Sequence, residues 1–392
     1  MTVHRLLEHF IIPERGIDLG LGSTLHTRYR VTRDEFDEFI TTLQQQEELT
    51  LCQVHSIDKN VAATFQSGTD MICITHTARD SMMRILCDKT EVFSPLPLQP
   101  QQTTAITPPH LCLLPLDYTH REMTDGNGMG YALILPDGRY IVYDGGYRVD
   151  APGLLHFLKE HNRHPDGKIV IAAWIFTHAH ADHYGAFRAI AETHADKITL
   201  EAAVFNPILQ EMLPRGDGYN PYFAEELRRD LARFGQVKCY RPHTGQVLYF
   251  GEVPLEILYT YEHYLPGNIP NANDSSIASR LTLSGQTLLF MGDCERTTSD
   301  LICDLYENAL RSDVVQVNHH GYSGGTTELY QKIAPAFALW PTNKITFDLR
   351  VTGIKYQFIG NAVNSNKYLF DTLGAHRCLI SDQAALYPLP LK

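Results

Sequence analysis

Four potential metal ligands lie within six consecutive residues of this sequence, in the motif HAHADH. They are His178, His180, Asp182 and His183. Histidines two positions apart share a side only where the backbone is extended or turning, so the motif is not a helical HExxH zinc site. The unbroken apolar run IVIAAWIF precedes it and predicts a strand that is buried on both faces. We therefore expect the motif at the end of a central strand, where α/β folds place their ligands.

The arrangement of these donors predicts a site for two metal ions. His178 and His180 can present imidazole nitrogens to one cation, while Asp182 and His183, one turn onward, reach a second. Two metals at roughly 3.5–4 Å can share a water, lower its pKa towards neutrality and clamp the attacking and leaving oxygens of a displacement. Burying this many polar groups without a cation would be costly. The chemistry indicated is hydrolysis.

Further donors follow predicted strands downstream. Asp293 comes just after the apolar run TLLFM, and His319 and His320 follow the run VVQV. Successive side chains of a strand face opposite sides, so we expect only one of these two histidines to join the metals. Each donor therefore stands where a strand ends, as a site shared between strands requires.

The elements that must position these residues form an α/β pattern. Apolar runs at 131–135 and 140–143 flank an Asp-Gly turn, which is a hairpin signal, and the second run ends at Asp144. A helical pattern follows at 154–161, before the buried strand at 169–176. Strands and helices that alternate in this way predict a mixed α/β domain.

The first part of the chain has a different character. Thr32 and Glu35 form a capping-box signal ahead of a helical apolar pattern, and short β-rich runs follow up to residue 93. Residues 94–109 are rich in proline, glutamine and threonine and predict a linker. We therefore divide the chain into an N-terminal α+β module of unknown role, 1–93, the linker, and a main domain, 110–392.

Composition limits the location and the partners. The net charge of −12, without a run of lysine or arginine, argues against nucleic acid as the main partner. Eight cysteines lie scattered without a CxxC pair, which favours free thiols in a reducing compartment. The sequence contains no apolar window of about 18 residues, the length that a membrane span needs. These features predict a cytoplasmic protein that does not enter a membrane, and they leave its oligomeric state open.

The order of the motifs resembles that of the metallo-β-lactamase superfamily of dinuclear metallohydrolases. HAHADH, GD and NHHG follow one another, each after a predicted strand and all after a strand that ends in DGG. The stretches NDSSIASRL, LLFMGDCE and VVQVNHHGYSGG are most similar to the branch that contains the C-terminal domain of the DNA-uptake channel protein and the phosphorylcholine esterases. The resemblance covers roughly residues 110–392. It implies an αββα sandwich, two β-sheets between helix layers, and it covers none of the small N-terminal α+β module.

The resemblance also implies roles for the site residues. It places the first metal on His178 and His180, and the second on Asp182, His183 and His319, with Asp293 as the bridge. We align His319 with the usual superfamily histidine, which leaves His320 either as a residue that supports the ligands or as a catalytic contact to the substrate oxyanion. Asp182 is expected to hold the bridging hydroxide as well, and Asp144 to orient the metal-binding loop. Two zinc ions are the expected cofactors, with manganese or iron as alternatives for such a nitrogen and oxygen ligand set.

The sequence departs from the superfamily pattern at one ligand. Members usually carry a further histidine between the first motif and the bridging aspartate, and the corresponding stretch here reads NANDSSIA. Asn273, Asp274 or a water could take that place. His243 and His263 could also replace it by their position in the chain, although both lie in predicted loops.

The function implied is hydrolysis of a phosphodiester, or of another small-molecule substrate, by a metal-bridging hydroxide. Hydrolysis of a lactone, lactam or thioester is the alternative reaction. A third interpretation is a regulatory module that binds metal without turnover, which the absent histidine keeps open.

Overall fold

The computed structural model of the chain describes residues 16–117, 128–214, 220–352 and 362–392. The first fifteen residues of the predicted N-terminal module lie outside this part. Across the described residues the chain forms three sheets and eight α-helices. Below, residues 110–392 are called the main body.

The first sheet is antiparallel and belongs to the N-terminal part of the chain. Its six strands are β1 Ile17–Gly20, β2 Ser23–Arg28, β3 Thr50–Ile57, β4 Asn60–Ser67, β5 Asp70–Thr77 and β6 Met82–Lys89. They lie in the order β1-β2-β6-β5-β4-β3, and we call them the N-terminal sheet. Helix α1, Arg33–Gln44, begins with the predicted capping box of Thr32 and Glu35. One helix and an antiparallel sheet are what the sequence predicts here.

The N-terminal sheet is covered on both faces. Phe36, Phe39 and other apolar residues of α1 pack on one face, against residues such as Phe65. On the other face Leu25 and Leu86 share one apolar core with residues of the main body. The sheet therefore has no bare apolar face among the described residues, and it is attached to the main body through its core.

The second sheet forms the first half of the main body. Its eight strands are β7 His110–Leu113, β8 Gly130–Ile134, β9 Tyr140–Asp144, β10 Ile169–Ile175, β11 Ile198–Leu200, β12 Ala202–Val204, β13 Lys238–Tyr240 and β21 Ala385–Pro388. Their order is β13-β12-β10-β9-β8-β7-β21, and β11 pairs with the start of β10. Strands β9, β10, β12 and β13 are parallel, and every residue of β10 is buried. The predicted central strand is thus present.

The third sheet forms the second half of the main body. Its seven strands, in spatial as well as chain order, are β14 Val247–Phe250, β15 Val253–Tyr259, β16 Ala278–Leu283, β17 Gln286–Phe290, β18 Val314–Gln316, β19 Phe337–Trp340 and β20 Cys378–Ile380. Strands β14 to β17 are antiparallel, whereas β17 to β20 run parallel. The carboxyl ends of β17 and β18 therefore meet at one edge of the sheet.

The two sheets of the main body pack face to face between helices. Leu133, Ile175, Leu255 and Leu288 belong to the apolar core between them, and the rings of Tyr143 and Phe290 stack there at 3.8 Å. On the outer faces lie the helices α2 Ala151–Glu160, α3 Ala181–His194, α4 Phe223–Leu231, α5 Arg296–Tyr306, α6 Thr327–Ile333, α7 Lys344–Thr352 and α8 Ala362–Leu373. Helices α2 to α4 cover the first of these sheets and α5 to α8 the second. The predicted αββα sandwich is confirmed.

None of the helices in the described chain combines the length and the apolar composition that crossing a bilayer requires.

Residues 94–109 contain neither a helix nor a strand. Their backbone nevertheless bonds to the main body at several points: Ser94 N–H donates to Cys239 O at 2.7 Å, and Gln101 N–H donates to Gly251 O at 2.9 Å. Tyr249 N–H donates in turn to Pro97 O at 2.7 Å, which covers part of the open edge of β14. The segment is therefore held along the surface of the main body.

Candidate metal centre

The predicted ligands collect at one edge of the sandwich. β10 ends at Ile175, and the HAHADH motif forms the turn from that strand into α3, which begins at Ala181. His178 and His180 lie in the turn, while Asp182 and His183 lie in the first turn of the helix. Asp293 follows β17 and the two histidines follow β18, so both sheets of the main body supply donors to the same edge. This is the placement that the sequence predicts.

Four of these side chains form a compact group. Asp182, His183, Asp293 and His320 each offer a ligand atom, and these atoms all lie within 4.8 Å of one another. His183 Nε2 is 3.1 Å from Asp293 Oδ2, and His320 Nε2 is 3.2 Å from Asp182 Oδ2 and 3.3 Å from Asp293 Oδ2. Two imidazole nitrogens and two carboxylates are a ligand set that suits a divalent transition metal.

One atom of the group is buried without a partner. Within the described part of the chain, Asp293 Oδ1 has no hydrogen-bond partner, and the buried His320 Nε2 meets only the carboxylates of Asp182 and Asp293. A buried polar atom left unpaired is costly, and a bound cation removes that cost. The residues therefore fit a metal ion.

Asp293 lies at the centre of a ring of imidazoles. Its Oδ2 is 3.1 Å from His183 Nε2, 3.3 Å from His320 Nε2, and 3.8 Å from both His178 Nε2 and His319 Nε2. Burial alone would raise the pKa of this carboxyl, but the surrounding histidines outweigh it and hold the pKa well below its ordinary value. Asp293 is thus an ionised carboxylate that faces four imidazole rings.

His178 and His180 stand side by side next to this carboxylate. His178 Nε2 lies 3.0 Å from His180 Nδ1, and its Nδ1 lies 3.3 Å from Ser276 Oγ. Burial, together with the neighbouring His183 and His180, lowers the pKa of His178 well below its ordinary value. A neutral imidazole is the form that binds a metal ion.

Asp144 orients His183. Asp144 ends β9 with a positive φ of 52° and is fully buried. His183 Nδ1–H donates to Asp144 Oδ2 at 2.7 Å, which leaves Nε2 free to face Asp293. Asp144 also accepts hydrogen bonds from the Thr177 amide at 2.8 Å and from its hydroxyl at 2.7 Å. Burial lowers the pKa of His183, but Asp293, Asp182 and Asp144 outweigh it and raise that pKa well above its ordinary value.

The two adjacent histidines after β18 both reach the centre, but in different ways. They lie in a turn with left-handed backbone, φ 43° at His319 and φ 55° at His320, and not in a strand whose side chains alternate. His320 is fully buried, and its Nδ1–H donates to Pro341 O at 2.9 Å, which presents Nε2 to the carboxylates. His319 Nδ1 bonds instead to Glu295 Oε1 at 2.7 Å and lies 2.8 Å from Ser323 Oγ. We expected His319 as the ligand and His320 as the substrate contact. The geometry fits the opposite assignment better, with His320 as the ligand and His319 as the contact.

The stretch that lacks the superfamily histidine is built around Asp274. Its carboxylate accepts hydrogen bonds from the Glu295 amide at 2.9 Å, from the Thr298 hydroxyl and from the Asn271 side chain at 3.0 Å. Burial raises the pKa of this carboxyl to about 6. Asn273 Nδ2 donates to Glu295 Oε1 at 3.1 Å, and its buried Oδ1 has no partner among the described residues. Asp274 is engaged in holding the turn, so of the two candidates Asn273 is the one with an oxygen to offer.

Two residues that sequence reasoning did not single out support the centre. Ser276 Oγ accepts a hydrogen bond from the Asp293 amide at 3.0 Å and also contacts His178. Glu295 accepts from Ser323 Oγ at 2.8 Å in addition to its bond with His319. The only sequence signal was the position of Glu295, two residues after Asp293. His243, weighed as a replacement ligand, lies at the interface with the N-terminal sheet instead, bonded to Asp88.

Comparison with known proteins identifies the family. The chain is 25% identical over 176 residues to ComE operon protein 3 of Bacillus subtilis, a match that covers 44% of this chain and 20% of that protein. The chain thus matches about a fifth of the length of this curated relative. Among solved structures, the metallo-beta-lactamase fold protein YhfI of Bacillus subtilis is similar with a TM-score of 0.39 at 12% identity, over 72% of this chain and 99% of that one. Zinc-bound PqqB of Methylobacterium extorquens is similar with a TM-score of 0.42 at 9% identity, over 72% and 100% of the two chains. The sequence model of the metallo-β-lactamase superfamily matches residues 125–336, more than half of the chain, and the chain therefore belongs to that superfamily.

Proposed function

We propose that the protein is a dinuclear metal-dependent hydrolase and that phosphodiesters are its leading substrate class. The observation that supports this most is the position of Asp293, whose Oδ2 lies within 3.8 Å of four imidazole nitrogens and whose Oδ1 is buried without a partner in the described chain. A carboxylate placed in this way suits a bridge between two cations. Membership of a generally hydrolytic superfamily points the same way.

The proposed ligand set follows the distances. His178 and His180 would hold the first ion, Asp182, His183 and His320 would hold the second, and Asp293 would be shared by both. In this assignment His320 replaces His319, because its Nε2 is the closer one to Asp293 and its ring is already oriented by Pro341 O. Zinc is the proposed metal, with manganese or iron as alternatives for a set without sulfur ligands.

The residues around the ions have separate tasks. When bound, two divalent ions lower the pKa of a water and stabilise charge on the attacked group. Burial would raise the pKa of Asp182, but His183 and His320 hold it below its ordinary value, so Asp182 is available as a carboxylate that orients the attacking water. His319, which is more exposed and anchored at Nδ1 by Glu295, points its Nε2 towards the centre and contacts the substrate oxygen.

The preference for phosphodiesters rests on two supports. The motif series is most similar to the DNA-uptake and phosphorylcholine-esterase branch, and the match to ComE operon protein 3 fits that branch. A two-metal clamp also suits an in-line displacement at phosphorus, where charge develops on both the attacking and the leaving oxygen.

A second candidate function is a metal-binding module without turnover. The observation that favours it is Asp274, whose oxygens are taken up by Glu295, Thr298 and Asn271 and do not replace the missing histidine. A first ion held by fewer protein ligands would bind more weakly.

Metal analysis and a substrate panel test both candidates. Protein purified after metal-replete expression should carry close to two transition-metal ions per chain, and it should hydrolyse bis(4-nitrophenyl) phosphate faster than 4-nitrophenyl acetate or a simple lactone.

Asp182→Asn should lower kcat by at least about 100-fold, with little change in thermal unfolding, while the matched variant Asp196→Asn in an exposed turn should leave kcat unchanged. Metal without hydrolysis of any substrate would support the second candidate. A fully folded protein that binds no metal would contradict both.

A further inference from the structure

A buried ionic bridge joins the N-terminal sheet to the main body. His243 Nε2 lies 2.8 Å from Asp88 Oδ2, on strand β6, and His243 Nδ1 lies 2.9 Å from Glu262 Oε1, just beyond strand β15. All three residues are buried, with at most 5% of their surface exposed. We call Asp88, His243 and Glu262 the interface bridge.

The interface bridge consists of three ionised groups. Each ring nitrogen of His243 faces a carboxylate, which can only accept a hydrogen bond when ionised, so both nitrogens donate and the ring is an imidazolium. Burial alone would lower the pKa of His243, but Asp88 and Glu262 outweigh it and raise the pKa to about 9. Arg241, also buried, bonds to Tyr261 Oη at 2.9 Å and supplies the second cation near the two carboxylates.

Glu262 belongs to a loop that also touches the metal centre. The loop comprises residues 260–277 between β15 and β16, and we call it the site loop. At its far end Ser276 Oγ accepts from the Asp293 amide at 3.0 Å, and the Ile277 amide donates to Thr177 O at 3.0 Å. At its near end the N-terminal sheet contacts it again, where Arg84 donates to His263 O at 3.3 Å. One loop therefore links the interface to the bridging carboxylate and to the residue before the HAHADH motif.

Two further contacts anchor the site loop between these ends. Tyr264 Oη lies 2.8 Å from Thr298 Oγ1, and Tyr259 Oη donates to Asp274 O at 2.6 Å. Glu262 and Ser276 therefore belong to one loop that is anchored along its length. Removing one member of a buried ionic group leaves the others uncompensated, which is far more costly than losing a surface pair.

We infer that the N-terminal sheet positions the metal centre: through Asp88 and His243 it fixes Glu262, and through the site loop it sets the affinity of the centre for metal. The inference rests on the proposed function, since it requires that the centre binds metal. It assigns Asp88, His243 and Glu262 a positioning role and gives the N-terminal module a task in the activity of the main body.

Zinc binding by full-length variants tests the inference. His243→Gln removes the cation that lies between the two carboxylates, so we expect the dissociation constant for Zn²⁺, measured by competition with a chromophoric chelator, to rise by about tenfold or more. Amide hydrogen exchange should speed up across residues 260–277. Adding Asp88→Asn to His243→Gln neutralises one of the two carboxylates that then face each other across the uncharged side chain, and it should restore part of the affinity.

The matched control is His55→Gln at the same interface. His55 Nε2 lies 2.7 Å from Glu256 Oε1, so it also joins the N-terminal sheet to the main body through a histidine–carboxylate contact, but this contact is partly exposed and involves strand β15 and not the site loop. This variant should bind Zn²⁺ as tightly as the unaltered protein. Should His243→Gln fail to fold, Glu262→Gln replaces it, with a smaller loss of affinity expected.

The outcomes separate this inference from the proposed function. If His243→Gln or Glu262→Gln lowers the melting temperature but leaves the zinc dissociation constant unchanged, the interface bridge is only structural and the inference is wrong, while the proposed function stands. If the unaltered protein binds neither Zn²⁺ nor Mn²⁺ nor Fe²⁺, the proposed function fails, and the inference fails with it. An equal loss of affinity in His55→Gln would also contradict the inference, because any weakening of the interface would then suffice.

Discussion

At the scale of single residues, the backbone decides which histidine is offered to the metal. The sequence predicts alternating side chains at His319 and His320 because the preceding run is apolar and strand-like. In the structure both residues have left-handed backbone, which costs energy for residues with a Cβ, and both rings come within 3.8 Å of Asp293 Oδ2. No pattern of residue types predicts such a pair, so the donors were predictable but their order was not.

The two histidines provide a matched pair of variants. His320→Gln should weaken zinc binding by at least about 100-fold, because it removes a proposed ligand. Loss of a ligand costs more metal affinity than loss of a residue that only supports a ligand. His319→Gln should keep the metal and lower kcat by roughly 100- to 1000-fold, as loss of a contact to developing charge does. Metal content by mass spectrometry and steady-state kinetics on one preparation give both answers. The reverse pattern would restore His319 as the ligand.

At the scale of elements, periodic stretches were predictable and short pairings were not. Helix α1 with its capping box, strands β3 to β6, the β8–β9 hairpin and the buried strand β10 all follow from local patterns. Strands β11, β12 and β13 have three residues each, too few to show a period, and they exist because parallel neighbours pair with them. Strand β2 likewise depends on pairing with β6, and β1 on pairing with β2. Tertiary contact, not local preference, creates these elements.

The loop after β18 contains a glycine on which the position of the two histidines depends. Gly324 has a φ of 90°, and a Cβ there would lie 2.2 Å from Cys294 O and 3.3 Å from Asn318 Cβ. Gly324→Ala should therefore cost about 3 kcal/mol of unfolding free energy, from overlap and left-handed strain together, and should release metal by shifting the loop.

Gly285→Ala is the control for this variant. Gly285 also has a positive φ, of 72°, but a Cβ there would meet open space in the turn between β16 and β17. It should cost roughly 1 kcal/mol and leave metal binding intact. Chemical denaturation followed by metal analysis compares the two variants. If both lose the same unfolding free energy and the same amount of metal, left-handed strain alone, without the clash, explains the effect.

At the scale of the whole molecule, the boundaries suggested by composition do not describe how the parts are attached. The proline-rich composition of 94–109 is typical of a free linker, yet its backbone bonds to Cys239, Gly251 and Pro136 of the main body. The N-terminal sheet shares its core with that body as well. Contacts between residues far apart in the chain are invisible to composition, so the division at 1–93, 94–109 and 110–392 remains a prediction about sequence character.

Limited proteolysis measures this attachment. Proteases need a locally extended, unbonded backbone, so the packed segment 94–109 should resist a broad-specificity protease under native conditions. The same segment should be cut readily in urea, which controls for its intrinsic susceptibility. If the native protein is instead cut first within 94–109, giving two fragments, the segment detaches in solution. The N-terminal sheet would then be held less firmly than its contacts suggest.

The position of strand β21 ties completion of the fold to translation. Ala385–Pro388 pairs with His110–Leu113, so that Ala385 lies opposite Leu113 and Pro388 opposite His110. A ribosome releases β7 long before it has made β21, and the nascent chain must meanwhile carry an open sheet edge, the kind of surface that recruits other strands. Leu111 and Cys112, fully buried in the finished molecule, sit on that edge. The newly made polypeptide is therefore most prone to aggregate in the interval before residues 385–388 emerge.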